Sequence, residues 1–149
     1  MKENVRYNFA SGSHWEPLRG YSRAVKIGNS VFISGTTAVD EKGEVVAAGD
    51  AYEQTRYIIQ KVRDVLAMTE LELSDVVRTR LFVTNMAKWD EYARAHREAF
   101  ENIRPASSIV QVTKLVDPRL MIEMEIDAVG GSQGVENIVL APRRGAARP

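Results

Sequence analysis

In residues 121–129, MIEMEIDAV, the acids Glu123, Glu125 and Asp127 alternate with the apolar residues Ile122, Met124 and Ile126. Successive side chains of a strand point to opposite faces, so the carboxylates share one side. A carboxylate held beside a reacting group can take a proton from water and return it to a leaving group. The competing reading is structural, because the segment VVRTRLFV carries Arg78 and Arg80 at the same alternation and acids and arginines could pair across a sheet. Other chemistries lack their residues. With no cysteine there is no disulfide, thiol nucleophile or thiolate metal site. The two histidines, His14 and His96, stand far apart without a ligand cluster, so no metal is expected. The stretch ISGTT is not a GxSxG elbow, and the glycines form neither GxGxxG nor a P-loop.

The elements that would position these groups follow from periodicity. YSRAVKIG and SVFISGTTAV read as strands around a Gly28-Asn29 hairpin turn, with a short strand conceivable near Arg6–Phe9. Asp50 is placed to cap a helix from Ala51 to about Met68, with Glu53 as a capping-box partner. On that helix Ile58, Ile59, Val62, Val65 and Leu66 follow helical spacing. VVRTRLFVTN is a strand, and a second amphipathic helix is expected from about Ala87 to Asn102, ended by Arg104-Pro105. SSIVQVTKL and MIEMEIDAV close the series as strands. The order predicts one α+β domain over residues 1–130, its helices on one sheet face, and a loose Gly-, Pro- and Arg-rich tail over 131–149.

The other sheet face is mixed. Alternation places Val77, Thr79, Leu81 and Val83 on one side and Val76, Arg78, Arg80 and Phe82 on the other. A wholly solvated face need not hold Phe82, and a dry one could not hold unpaired arginines and glutamates. The mixture points to a face covered by another subunit, with ion pairs at the seam.

Lys+Arg and Asp+Glu number 20 each, so no net field draws the chain to nucleic acid or an anionic membrane. No apolar run is long enough to span a bilayer, and the cytoplasm is the expected location.

From Gly20 to Val129 the sequence resembles the Rid/YjgF family, also called L-PSP endoribonuclease-like proteins. The resemblance rests on GYSRAVKIGNSVFISGTTAVD, SDVVRTRLFVTN, YARAHREAFENIRPASSIVQVTKL and MIEMEIDAV, in that order. It implies a chorismate-mutase-like α+β fold, a homotrimer with a central β-barrel, and ligand clefts between subunits. It also implies hydrolysis of reactive enamines and imines, such as 2-aminoacrylate, to 2-oxo acids and ammonia without a metal or organic cofactor. By the same resemblance Tyr21 and Ser34 line the cleft, with Gly35 beside them, and Glu123 positions or activates water. The imine deaminases carry a carboxylate-gripping arginine after Pro-Ala. Here RPASSIV puts Ser107 there, one neutral donor in place of two charged ones.

Arg80, on the acid-bearing side of its strand, is the first candidate to replace that clamp, followed by Arg23 and Arg94; the alternative for Arg80 is neutralising the acids. Ser107 could itself donate to a ligand. Three functions follow: a small-molecule hydrolase of the Rid type, a trimeric protein that binds a metabolite without turnover, and, least supported by the neutral charge, an endoribonuclease.

Overall fold

The computed structural model describes residues 4–131 and 134–139. Its elements run β1 (Arg6–Phe9), α1 (Trp15–Arg19), β2 (Ala24–Ile27), β3 (Ser30–Thr37), α2 (Ala51–Met68), β4 (Val76–Val83), α3 (Trp89–Phe100), β5 (Ala106–Gln111) and β6 (Ile122–Val129). The strands form one sheet ordered β1-β2-β3-β6-β4-β5. Every pairing is antiparallel except β4 with β5, which α3 joins as a parallel crossover. The last strand in sequence therefore lies at the centre of the sheet.

Helix α2 forms as its periodicity predicts. The Asp50 carboxylate accepts the Glu53 amide hydrogen at 2.9 Å, while the Glu53 side chain lies 3.2 Å from Arg56. Ile58, Ile59, Val62, Val65 and Leu66 are buried against the sheet with Val31, Ile33, Leu81, Ile122, Met124 and Ile126. The second helix is shorter than the sequence predicts. Asn85 caps a single 3-10 turn at Met86–Lys88, and α3 begins only at Trp89. It stops at Phe100, whose carbonyl accepts from the amides of Ile103 and Arg104, and Arg104 adopts a left-handed φ of 52°. The Arg104 Nε donates back to the Glu101 carbonyl.

One polar residue of α2 fixes the start of the central strand. Gln54 is fully buried, yet its amide nitrogen donates to the carbonyls of Val46 and Arg119 and its oxygen accepts from the Met121 amide. The Met121 carbonyl in turn accepts from the Thr84 amide and the Tyr92 hydroxyl. Glu123, two residues on, is thus held in place by both long helices.

Strict alternation fails at the start of β4. The register to β6 shifts between Val76 and Arg78, so Val76 joins the core at 3% exposure while Val77 is 44% exposed. This reverses the sequence-based placement of both valines; Thr79, Leu81 and Val83 keep theirs.

The tail expected from residue 131 onward lies in large part at residues 132–133 and 140–149, outside the described residues. Within it, Ile138 and Val139 are 84% and 91% exposed. No described helix is long and apolar enough to cross a membrane.

Candidate functional site on the open sheet face

Glu123 sits on β6 opposite Thr37 of β3 and Phe82 of β4, on the face the long helices leave open. Its carboxylate leans over the backbone of Gly35. A side chain at position 35 would overlap that carboxylate, so only glycine leaves the seat free. The bend that creates the seat is a bulge. Ile33 and Thr36 of β3 pair with Ile126 and Met124 of β6, so Ser34 and Gly35 together oppose Glu125 alone. The Ser34 hydroxyl donates to the Ser22 carbonyl at 2.7 Å, and its amide donates to the Arg23 carbonyl, locking the bulge to the lead into β2.

The acids of β6 differ in their company. Asp127 lies 3.1 Å from Arg80 and 3.6 Å from Arg78, and Glu125 lies 3.6 Å from Arg80. Among the described residues Glu123 has no ion-pair partner. Burial pushes its carboxyl above the usual glutamate range, and the like charge of Glu125 adds to the effect. The guanidiniums of Arg19 and Arg23 pull it back. A carboxylate so poised takes up a proton more readily than an ordinary surface glutamate.

Arg23 stands behind this seat. Its Nη2 donates to the Gly35 carbonyl at 2.7 Å, while its buried Nε has no hydrogen-bond partner among the described residues. Burial lowers the proton affinity of the guanidinium, opposed by Tyr21, Glu16 and Glu123 in that order. Close by, Lys61 of α2 donates to the carbonyls of Thr37 and Val39, and burial and then Arg23 lower its proton affinity.

Tyr21 follows α1, which ends at Gly20 in a left-handed conformation (φ 68°). The amide of Tyr21 donates to the Glu16 carbonyl, and the buried Glu16 carboxylate accepts from the amide and hydroxyl of Ser11. Arg19 covers the Tyr21 ring at 4.8 Å from its centroid. Tyr21 also lines an open groove of about 450 Å³ with Arg6, Asn8, Glu16 and Ser22.

Tyr21, Ser34, Gly35 and Glu123 are thus linked around Arg23. Arg80 shares their face, but its guanidinium is engaged by Asp127 and Glu125. Ser107 lies elsewhere. The β4–β5 register sets it opposite Thr79, on the helix-facing side of the sheet, where the two hydroxyls are 2.8 Å apart. Arg94 stacks over Tyr52 at 3.9 Å. His14 stacks on Trp15 and His96 on Phe100, and no cluster of three or more potential metal ligands occurs among the described residues. Sequence reasoning missed Arg19, Glu16 and Lys61. Arg19 stands two residues before the singled-out Tyr21, but no sequence signal marked the other two.

The endoribonuclease L-PSP family model matches residues 12–130. A Streptomyces coelicolor protein of uncharacterized function is 35% identical over 123 residues, spanning 82% of this chain and 90% of its own. The 3-aminoacrylate deaminase RutC of Acinetobacter baylyi is 35% identical over 108 residues, 72% of this chain and 85% of that one. The crystal structure of a Mycobacterium tuberculosis member of the YjgF/YER057c/UK114 family superimposes with a TM-score of 0.76 at 40% identity, covering 84% of this chain and 99% of that one.

Proposed function

The chain belongs to the endoribonuclease L-PSP (YjgF/Rid) family, and on that premise we propose that it hydrolyses a reactive enamine or imine to a carbonyl compound and ammonia. The observation that carries this reading is the seat of Glu123, a carboxylate with no ion-pair partner among the described residues and with raised proton affinity, held on the open face by Gly35.

In this reaction an enamine first takes a proton from solvent on carbon and becomes an iminium ion. Water then adds to the C=N carbon while Glu123 accepts one of its protons, giving a neutral carbinolamine. The C–N bond breaks as Glu123 returns that proton to nitrogen, ammonia leaves, and the hydroxyl proton passes to solvent as the carbonyl forms. Arg19 and Arg23 favour the charged form of Glu123 and so oppose the effect of its burial. The buried Nε and the Nη2 bond to Gly35 make Arg23 a support for the seat rather than a substrate clamp.

The substrate site is completed by a second copy of the chain, and a homotrimer is the proposed assembly. Ser107 and Glu123 lie on opposite faces of one sheet with β4 between their strands, so one chain cannot bring both to a small ligand. The open face also carries Phe32 at 49% exposure and Val110 at 46%, apolar surface that a sister chain would cover.

A second reading, capture of a metabolite without turnover, is favoured by Ser107 where the deaminases carry arginine. Cleavage of RNA is less favoured, since Arg78 and Arg80 on the open face are already matched by Asp127 and Glu125. The deciding test supplies the purified protein with freshly generated enamines and imines, some bearing a carboxylate and others a carboxamide. Carbonyl product and ammonia should form faster than in buffer, and Glu123→Gln should return the rate to the buffer value. Ligand-induced stabilisation with no product from any member of the panel would establish binding alone.

A further inference from the structure

We propose that His96, Thr79 and Ser107 form a one-way hydrogen-bond relay that aims the Ser107 hydroxyl hydrogen out of the β5 edge and selects a ligand carrying a neutral acyl oxygen there. The inference rests on the inter-subunit site proposed above and names the group that its far end takes.

The direction of the relay follows from the Thr79–Ser107 bond, in which Thr79 is the donor. Thr79 is fully buried and has one hydroxyl hydrogen, which it donates to Ser107 Oγ at 2.8 Å. Only lone pairs are left to meet His96 Nε2, 2.9 Å away, so Nε2 carries a hydrogen and donates it. The ring packs at a 39° tilt against Phe100, with centroids 4.7 Å apart. Burial depresses the proton affinity of His96, which favours the neutral ring. Ser107 accepts from Thr79, so its own hydrogen is not used within the relay. The residue is exposed on an edge strand that pairs with β4 alone, which leaves that hydrogen free to meet a ligand arriving at the edge. Each bond polarises the next, so the terminal hydroxyl is a better donor than an isolated serine.

Such a donor suits an amide, ester or ketone oxygen. It carries no net charge, and a carboxylate losing its hydration there would recover one neutral hydrogen bond in place of a bidentate ion pair. The relay thus does more than fill the space where the deaminases carry arginine. It changes the class of ligand accepted, from anionic to neutral.

The test uses two unreactive analogues, pyruvamide and pyruvate, so that it does not depend on turnover. Nitrogen-15 NMR of the full-length protein should find His96 as the Nε2–H tautomer. Pyruvamide should shift the His96 signals at about tenfold lower concentration than pyruvate, as expected for one directed hydrogen bond. Ser107→Ala should abolish that preference and move His96 toward the Nδ1–H tautomer, because Thr79 is then free to donate to Nε2. Thr79→Val, nearly isosteric, should reduce the preference without removing Ser107. An Nδ1–H tautomer in the unaltered protein, tighter binding of pyruvate, or a preference that survives Ser107→Ala would each overturn the proposal. If the preference holds while no enamine or imine is hydrolysed, the catalytic reading fails and the relay stands.

Discussion

The Glu123 carboxylate occupies the space that a side chain at position 35 would fill, so the presence of an acid on one strand and the absence of a side chain on its neighbour are a single feature. Gly35→Ala should therefore displace Glu123 rather than break the sheet. We expect kcat to fall about a hundredfold, as misplacement of a reacting group does, with stability lowered by about 1–3 kcal/mol from overpacking. A double-mutant cycle with Glu123→Ala should recover at least about 1 kcal/mol, because the clash is removed at its other partner. Additive losses in chemical denaturation would mean that the two positions do not meet.

The raised proton affinity of Glu123 gives a signed pH dependence. As a base it works only when deprotonated, so kcat/KM should fall with acid at a pH above the ordinary glutamate value of 4.5. Its effect on stability runs the other way. The folded chain holds this proton more tightly than the unfolded chain, so the associated stability is full below the ordinary value and lost as pH rises through the raised one. Glu123→Gln lacks this titration. Its melting temperature should exceed that of the unaltered protein at neutral pH, and the gap should close in acid.

Two arginines on the same side of the molecule should separate cleanly by mutation. Arg23→Met removes a cation that favours the Glu123 carboxylate, so the acid limb of the pH–rate profile should move upward. Arg80→Met should leave that limb in place and destabilise the fold by about 1 kcal/mol or less, since its ion pairs with Asp127 and Glu125 are partly exposed. An unmoved limb in the Arg23 variant would remove it from the site.

Phe32 tests the covered face. Phe32→Glu adds a charge beside Asp127, its cross-strand neighbour, on the surface proposed to meet a sister chain. Sedimentation should show the species falling to a single chain, with activity lost and helix content retained. An unchanged oligomer would place the interface elsewhere.

Much of the scaffold was legible because long amphipathic segments announce their period. Helix α2 and the larger strands needed only the spacing of Ile, Val and Leu. What escaped were single-residue departures and short elements. α1 has five residues with Pro17 inside, too few to show a helical repeat. The bulge at the start of β4 shifts the phase by one, which alternation cannot foresee and which moved Val76 into the core. The different environments of Glu123, Glu125 and Asp127 depend on which residue of β4 lies across from each, and register is a property of pairing rather than of either strand alone. Ser107 was singled out from RPASSIV, but its face and its bond to Thr79 follow from where the α3 crossover sets β5.

Of the six described strands, the one that carries Glu123 is synthesised last and inserted between two made long before it. Until a ribosome has released residues 122–129, β3 and β4 each have one unsatisfied edge, and the Met121 anchor has nothing to hold. A messenger that stops translation before Ile122 would therefore yield no half-active product. It would yield a polypeptide with two sticky seams, prone to pair with its own kind and be cleared by the cell's quality control.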